Sequence, residues 1–342
     1  MRHLRKNALV TGFGGQDATY LASWLGDNDY NVLAVARSAR TFSNMQYLET
    51  RGFSFKNLTV IYGDVTDANF IYDVFKSYDI HSVYNLAAQS HVGFSFENPV
   101  HTMNVNYAGA ANIINAIRMF QPSVRLYQAG TSELFGYNHG GLLDESAVLA
   151  PRSPYAISKL AAHWAIRNAR HEGIFACNGI LFNHESPIRG PEFVTRKISR
   201  FVAKYARGLS DETLRLGNLD ARRDWGHAYD YVKAMVKMME HGKPDDYVIA
   251  SGESHSVRDF VIKAFDFLGF DVKFSGEGEN ETGSINGRAV VCVDPKFYRP
   301  NDVNCLTGDA SKAKTILGWQ PSVSFDQLVS DMVRSDIVRL KS

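Results

Sequence analysis

The sequence has few cysteines and no long hydrophobic run. Cys177, Cys292 and Cys305 are far apart in a chain of 342 residues and form no CxxC pair. This spacing argues against a disulfide framework or a thiolate metal cage and favours a reducing compartment. No apolar segment approaches the roughly 20 residues that span a bilayer, and no apolar leader follows the basic first residues. We therefore expect a cytoplasmic protein that makes no use of a membrane.

The sequence also lacks an excess of charge of either sign. It has 37 Lys and Arg against 36 Asp and Glu, which gives a formal net charge of +1. No overall field favours nucleic acid, so local groups must hold any anionic ligand. The 11 histidines are scattered, and neither an HExxH nor a GxSxG motif is present. We therefore expect no metal site, no serine-hydrolase chemistry and no nucleic-acid partner.

The first half of the sequence alternates short apolar runs with longer helical patterns. Such alternation is typical of a parallel sheet with helices on both faces. The pattern predicts strands at 7–11, 31–36, 59–62, 82–86, 125–129 and 175–181, with helices at 15–27, 68–78, 99–120 and 153–172. It therefore predicts an α/β fold with a doubly wound, Rossmann-type parallel sheet.

The pattern becomes irregular after residue 181. Pro187 and Pro191 interrupt it, and helices are predicted near 228–241 and 257–268. We predict a Rossmann domain over residues 1–181 and a smaller, mixed α/β substrate lobe over residues 182–342, with some segments returning to the Rossmann core.

A glycine-rich turn follows the first predicted strand. Residues 12–18 read Gly-Phe-Gly-Gly-Gln-Asp-Ala, a GxxGxxA variant of the dinucleotide fingerprint at the start of a helix. Gly12 permits the tight turn, Gly15 lets the backbone approach a pyrophosphate, and the small Ala18 keeps helix and strand close. A plain strand-to-helix connection is the alternative. The position at the first strand of an α/β pattern favours dinucleotide binding.

The residue after the second predicted strand indicates which dinucleotide binds. NAD-binding proteins typically carry an acidic residue there for the ribose hydroxyls. Here the residue is Arg37, with Arg40 nearby and no acidic residue between Val32 and Leu48. Two arginines accommodate a 2′-phosphate, so the sequence predicts NADP; solvated loop charges are the alternative. Asp64, after the third predicted strand, is expected to meet the adenine edge.

Four polar residues are candidates for catalysis. Tyr155 and Lys159 lie four residues apart on one predicted helix, so the ammonium can stabilise a phenolate and lower the tyrosine pKa. Thr131 and Glu133 follow the preceding strand and reach the same carboxyl edge of the sheet. Glu133 can supply the base that removes a proton next to a new ketone, although a solvated carboxylate is the alternative. The set predicts oxidation coupled to elimination.

Longer blocks of sequence resemble the GDP-mannose 4,6-dehydratase family over essentially the whole chain. They are residues 12–21, 84–92, 131–136, 151–155, 179–187, 193–197, 217–226 and 298–300. The resemblance implies NADP as cofactor and conversion of GDP-mannose, or a related GDP-sugar, to its 4-keto-6-deoxy form and water. It also implies a homo-oligomer, a tetramer or dimer, that assembles through the two helices at 99–120 and 153–172.

The resemblance also implies roles for individual residues. The catalytic set is Thr131, Glu133, Tyr155 and Lys159. Together with Arg37 and Arg40, the predicted cofactor contacts are Gly12, Gly14, Gly15, Gln16, Asp17, Asp64, Val65, Leu86, Ala87, Ala88, Gln89, Ser90, Lys159, His184 and Arg189. The predicted substrate contacts are Ser90, Asn183, Lys197, Arg223 and Arg299. The three cations among them suit a diphosphate, whereas a solvated lobe surface is the alternative.

Three positions depart from the family pattern, and three other functions stay open. Ala18 replaces a third glycine, Arg37-Ser38 replaces a double arginine, and His101 replaces a tyrosine. The same chemistry on a GDP-mannoheptose is one alternative. A nucleotide-sugar epimerase is another, although such relatives usually lack a carboxylate at the position of Glu133. A non-catalytic NADP sensor is the third, but it would have no use for all four catalytic residues.

Overall fold

The computed structural model describes residues 5–38, 42–136, 141–297 and 305–340. Two predicted site residues, Arg40 and Arg299, lie outside the described residues. None of the described helices is both long and apolar enough to cross a membrane.

Short strands and longer helices alternate through the first half, as the hydrophobic pattern predicts. The strands are β1 (Asn7–Thr11), β2 (Asn31–Ala36), β3 (Leu58–Tyr62), β4 (Ser82–Asn85), β5 (Arg125–Ala129), β6 (Leu142–Leu143) and β7 (Ala176–Leu181). The helices are α1 (Gln16–Asp27), α2 (Phe42–Glu49), α3 (Ala68–Ser77), α4 (Val92–Glu97), α5 (Pro99–Met103), α6 (Gly109–Phe120) and α7 (Pro154–His171). A π-helical turn, Asn104–Ala108, separates α5 from α6.

The second half contains shorter strands and five helices among the described residues. The strands are β8 (Asn183–Glu185), β9 (Leu214–Leu216), β10 (Arg222–His227), β11 (Asp246–Ile249), β12 (Ser254–Ser256), β13 (Lys273–Ser275), β14 (Thr282–Ile285), β15 (Arg288–Val293) and β16 (Cys305–Gly308). The helices are α8 (Val194–Ala206), α9 (Ala228–Glu240), α10 (Val257–Asp266), α11 (Ser311–Leu317) and α12 (Phe325–Arg339).

The described strands include a seven-stranded parallel sheet in the order β11-β7-β5-β4-β1-β2-β3. The strand order reverses between β1 and β4, and in such sheets ligands bind in the crevice at the carboxyl ends beside that reversal. The predicted α/β fold with a Rossmann-type sheet is confirmed.

The seventh strand, β11, comes from the second half of the chain. It pairs with β7 through contacts such as Val248 with Ile180, and α9 packs against α1 on one face of the sheet. Strand β11 was not predicted, although Pro244 and Gly252 flank it as turn signals, because the apolar run within it, Tyr247–Ile249, is only three residues long.

Most of the remaining second-half elements pack into a separate layer, whereas α11 packs against β11 and α9 beside the parallel sheet. The layer contains two small sheets, β12-β10-β16-β6 with β8 beside β10, and β13-β14-β15-β9; β6 in the first of them comes from the first half of the chain. Helices α8, α10 and α12 supply buried Ile198, Phe260 and Met332 to one hydrophobic core, which Val291 of β15 completes. Capping boxes begin α10 and α12, where Ser256 and Ser324 bond the backbone of the first turn. The division at residue 181 stays a prediction.

Candidate active site

A cavity of about 890 Å³ opens at the carboxyl edge of the parallel sheet and extends to the second layer. Most of the predicted site residues line it: Gly12, Gly14, Gly15, Gln16, Asp17, Arg37, Asp64, Val65, Leu86, Ala87, Ala88, Ser90, Thr131, Glu133, Tyr155, Lys159, Asn183, His184, Arg189, Lys197 and Arg223. Gln89 is not among the lining residues. Its side chain accepts a 2.7 Å hydrogen bond from the backbone N–H of His91.

The glycine-rich loop leaves room that a side chain would fill. Gly12 has a φ of 74°, and an added Cβ would lie 2.8 Å from the carbonyl group of Leu86. Gly14 has a φ of 95°, and the N–H of Gly15 donates to the carbonyl of Gly12 at 3.1 Å. Helix α1 then begins at Gln16, with its unpaired N–H groups at the cavity. This cradle suits the phosphates of a dinucleotide.

Three buried polar side chains connect the ends of the central strands. The hydroxyl of Thr11 donates to Asn85 at 2.6 Å, and the amide of Asn85 donates to Gln128 at 2.7 Å. The same hydroxyl oxygen accepts from the N–H groups of Leu86 and Ala87, both at 3.1 Å. This chain fixes the segment after β4 relative to the glycine-rich loop.

Thr131 and Glu133 lie on the short turn that follows β5. The hydroxyl oxygen of Thr131 accepts from the N–H of Glu133 at 3.2 Å and thereby caps the turn Ser132–Leu134. Thr131 is buried, whereas the carboxylate of Glu133 is half-buried and faces the cavity. A hydroxyl group and a potential base are therefore presented on the same wall.

Tyr155 and Lys159 lie on the first two turns of α7. Burial raises the pKa of Tyr155 to about 12, with the nearby charge of Glu133 adding to the rise and a hydrogen bond with Thr131 opposing it. Burial lowers the pKa of Lys159 to about 8, against the attraction of Asp17. The ammonium donates to the carbonyl of Ala129 at 2.9 Å. The expectation of a lowered tyrosine pKa is therefore not met in the protein alone, because burial outweighs the neighbouring polar groups.

A buried ion pair joins α1 to β8 beside the glycine-rich loop. Nε2 of His184 lies 2.8 Å from Oδ2 of Asp17, and Nδ1 lies 2.7 Å from the carbonyl oxygen of Phe182. The imidazole ring also stacks on Tyr231 with centroids 4.5 Å apart. Burial lowers the pKa of His184. The charge of Asp17 and the hydrogen bonds together outweigh burial, so the net shift of the pKa is upward. Burial raises the pKa of Asp17, and His184 with Arg189 reverses this, so the net shift is downward.

Arg189 is held at the cavity wall by the neighbouring turn. Its Nε lies 3.0 Å from a carboxylate oxygen of Glu185, which also accepts from the hydroxyl of Thr195 at 2.6 Å. The guanidinium lies over the ring of Phe193, 3.5 Å from its centroid. The side chain is therefore fixed before any ligand binds.

Asn106, in the π-helical turn, supports the site from outside the cavity and was not predicted from the sequence. Its side chain accepts from the N–H of Gln89 at 2.8 Å and donates to the carbonyl of Gln89 at 3.1 Å. It also donates to the hydroxyl of Ser158 at 2.8 Å, next to Lys159 on α7. Asn106 thus connects the segment after β4 with the helix that carries Tyr155. A polar residue at a buried position of an apolar helix was its signal in the sequence.

The opposite wall of the cavity comes from the second layer. Asn183, Lys197 and Arg223 lie there, with Lys197 Nζ 4.7 Å from the ring centroid of Phe297. Phe297, Arg215 and Lys296 also line this wall and were not predicted. They lie on a strand and a turn without a recognisable motif, so only the fold brings them to the site.

Comparison with known proteins gives a family for this arrangement. A family model described as GDP-mannose 4,6 dehydratase matches residues 9–332. The GDP-mannose 4,6 dehydratase of Drosophila melanogaster is 45% identical over 97% of this chain and 86% of its own length. That of Dictyostelium discoideum is 44% identical over 100% of this chain and 99% of its own. The chain belongs to the GDP-mannose 4,6-dehydratase family.

Solved structures show the same fold at low sequence identity. The dTDP-glucose 4,6-dehydratase of Bacillus anthracis, in complex with NAD, has a TM-score of 0.77 at 20% identity and covers 96% of each chain. The RMD protein of Pseudomonas aeruginosa, in complex with NADPH, has a TM-score of 0.75 at 20% identity and covers 98% of this chain and 100% of its own. The family's sheet and second layer are thus shared with more distant proteins.

Proposed function

We propose that this protein converts GDP-mannose to GDP-4-keto-6-deoxymannose and water, with a nicotinamide dinucleotide as cofactor. The observation that carries this proposal is the meeting of Thr131, Glu133, Tyr155 and Lys159 in one cavity of a chain that belongs to the GDP-mannose 4,6-dehydratase family. An epimerase or a cofactor sensor would not need a carboxylate on the wall that carries the tyrosine.

The residues around the glycine-rich loop fit a dinucleotide. The backbone cradle at Gly12 and Gly15 would hold the pyrophosphate, with Arg189 as its charged partner. Asp64 would meet the adenosine, and Lys159 the ribose beside the nicotinamide. We further propose NADP rather than NAD, because Arg37 lines the cavity directly after β2, where an acidic residue would oppose a 2′-phosphate.

When bound, the oxidised nicotinamide would supply reversible hydride transfer between C4 and C6 of the sugar. Tyr155 accepts the proton of the C4 hydroxyl, and Thr131 hydrogen-bonds the same oxygen. With a pKa of about 12 the phenol keeps its proton at neutral pH until a positive charge is bound beside it.

Glu133 acts on the ketone that results. The C5 proton becomes acidic next to the C4 carbonyl, and the carboxylate of Glu133 removes it. The C6 hydroxyl then leaves as water with a proton from Glu133. As hydride returned to C6, C5 would take up one proton while Tyr155 released the proton that it had accepted from the C4 hydroxyl, so that both side chains would end in their starting states. The sugar has lost one water, and the cofactor is unchanged.

The cationic wall of the second layer would hold the nucleotide. Lys197 and Arg223 suit the two phosphates, and Asn183 and Ser90 suit hydroxyl groups of the sugar. Contacts with the nucleotide, at a distance from the reacting carbons C4 to C6, would fix the sugar in one orientation.

We also propose that the protein works as a homo-oligomer in the cytoplasm. Large apolar side chains are exposed on adjacent helices α4, α5 and α7, among them Phe96, Val100, Ile157 and Trp164. Such a patch is typical of a subunit interface.

The first experiment incubates purified protein with GDP-mannose, with and without added NADP⁺, and follows both the mass of the nucleotide sugar and NADPH absorbance. We expect loss of one water without accumulation of NADPH. A Tyr155→Phe variant should be inactive. The side chain of Tyr107 is exposed on the π-helical turn, so a Tyr107→Phe variant should be as active as wild type. Water loss from a GDP-mannoheptose but not from GDP-mannose would assign the heptose as the substrate instead. An unchanged mass with both sugars would contradict the proposal.

A further inference from the structure

Helix α2 is connected to the glycine-rich loop by one side chain. Nδ2 of Asn44 donates a 2.8 Å hydrogen bond to the carbonyl oxygen of Gly14. Gly14 has a φ of 95°, a backbone conformation that side-chain-bearing residues rarely adopt. The Asn44 amide therefore stabilises the conformation in which the N–H groups of the loop face the cavity.

Helix α2 is in turn held by α12, the last helix of the second layer. The hydroxyl groups of Tyr47 and Ser335 are 2.5 Å apart, and Arg51 Nη2 donates to Asp331 at 3.0 Å. The guanidinium of Arg339 lies over the ring of Tyr47, 3.6 Å from its centroid. Three side chains of α12 thus contact two residues at the end of α2 and just beyond it.

Helix α12 is itself firmly anchored. Asp336 lies 2.6 Å from Arg196 Nη2 and accepts from the hydroxyl of Ser199 at 2.7 Å, both on α8. One turn earlier, α12 buries Met332 and Val333 in the second hydrophobic core. The buried ion pair and the apolar contacts make α12 the fixed partner and α2 the supported one.

Between these elements there is space into which the loop could relax. A second cavity of about 640 Å³ lies next to the first, with which it shares Gly14 and Arg189, and is also lined by Asn44, Asp336 and Arg339. Close packing alone therefore does not hold this side of the glycine-rich loop. The directional contact of Asn44 has to do so.

We propose that Asn44 is a positioning residue for cofactor retention, and that α12 supports it through Tyr47 and Arg51. This inference rests on the proposed function, since it requires a dinucleotide on the glycine-rich loop. A dehydratase that regenerates its cofactor in place has no need to release it between turnovers. Contacts that slow release without touching the sugar are therefore compatible with rapid catalysis.

The test measures the dissociation rate of bound NADPH, by its fluorescence, after excess NADP⁺ is added to the loaded protein. Asn44→Ala should raise that rate about 5-fold, the effect of one lost hydrogen bond. Tyr47→Phe keeps the ring under Arg339 but removes the hydroxyl that contacts Ser335, and we expect a rise of about 2- to 5-fold. The turnover number at saturating NADP⁺ should stay unchanged while the apparent KM for NADP⁺ rises.

The double variant and a matched control distinguish positioning from general loosening. If Tyr47 acts through Asn44, the double variant should release NADPH no faster than Asn44→Ala alone. Arg334→Ala removes a cation from α12 that lies over Phe267, within the second layer, and should leave the rate as in wild type.

Three results would overturn the proposal. The first is an NADPH dissociation rate of Asn44→Ala equal to that of wild type. The second is a double variant whose rate increase equals the product of the increases in Asn44→Ala and Tyr47→Phe. The third is an NADPH dissociation rate of Arg334→Ala as high as that of Asn44→Ala. In each of these the wild-type protein still binds NADPH, so the proposed function survives. A wild-type protein that binds no nicotinamide nucleotide would overturn both.

Discussion

At the scale of single residues, Glu133 and Tyr155, which we propose as the two proton-transfer groups, differ in their surroundings. Tyr155 is buried, and burial raises its pKa to about 12, whereas Glu133 is half-buried at the open side of the cavity. The buried phenol suits the proposed exchange of a hydroxyl proton, and the more accessible carboxylate suits the proposed removal of a carbon-bound proton.

Replacing Glu133 with Gln should stop elimination and leave oxidation. The amide keeps the shape of the side chain but cannot accept the C5 proton, so formation of the deoxy sugar should fall by about 10²-fold or more. NADPH should appear in the first turnover with a sugar that has lost no water, which absorbance and mass spectrometry would record.

The matched control for this variant is Glu192→Gln, which replaces another carboxylate that lines the same cavity. It should make the deoxy sugar at close to the wild-type rate. Deoxy sugar formed at a near wild-type rate by Glu133→Gln would assign the base to another group.

Replacing Asp17 with Asn should destabilise the protein within a defined pH range. The raised pKa of His184 contributes stability that is complete below its unfolded value of 6.5 and is lost as the pH rises through the folded value. The lowered pKa of Asp17 contributes stability that is complete above its unfolded value of 3.8 and is lost as the pH falls through the folded value. The difference between wild type and variant should therefore be largest between these two values, at roughly 1–3 kcal/mol.

Denaturant unfolding across that pH range measures the difference. Asp73→Asn, which removes an exposed carboxylate from α3, is the control and should show little change at any of these pH values. A difference for Asp17→Asn that grows steadily above pH 6.5 would contradict the ion pair.

At the scale of secondary-structure elements, the π-helical turn positions two parts of the site at once. Replacing Asn106 with Leu would leave the partly buried N–H and carbonyl groups of Gln89 without these partners. We expect the free energy of unfolding to fall by about 2–4 kcal/mol, and cofactor affinity to fall with it. Chemical denaturation and NADPH titration would measure the two effects.

A neighbouring asparagine on α6 provides the control. Asn115 is exposed and contacts Arg118. Asn115→Leu should change the stability by no more than about 0.5 kcal/mol. Equal changes in the free energy of unfolding for the two substitutions would mean that the hydrogen bonds of Asn106 do not stabilise the protein.

Elements that carry a motif could be predicted from the sequence, and elements defined by long-range pairing could not. The turn after β1 and the Tyr155 helix have local signals, so their place at one sheet edge follows from the alternation of strands and helices. Helix α2 was missed because Leu48 is its one fully buried residue, which gives little apolar periodicity. The contact of Asp17 with His184 joins residues 167 positions apart, and no local pattern encodes such a pair.

At the scale of the whole molecule, the exposed apolar patch predicts self-association. Val100 is 72% exposed and Trp164 is 48% exposed, on helices that pack side by side. A double variant, Val100→Glu with Trp164→Glu, would place two charges in the interface and should shift the protein towards monomer. Analytical ultracentrifugation would measure the change.

Ile316→Glu, at an exposed apolar position on α11, is the control and should leave the association state unchanged. A wild-type protein that sediments as a monomer at micromolar concentration would contradict the predicted assembly, and identical behaviour of both variants would place the interface elsewhere.

The position of β11 in the chain has a consequence for synthesis. Strand β7 ends at Leu181 and is buried along its whole length, but the strand that covers its edge begins only at Asp246. While the ribosome adds the intervening residues, the nascent polypeptide presents an uncovered apolar edge of the kind that pairs with other chains. Truncated gene products that stop before residue 249 should therefore aggregate, and the first half of the gene is a poor choice for separate expression.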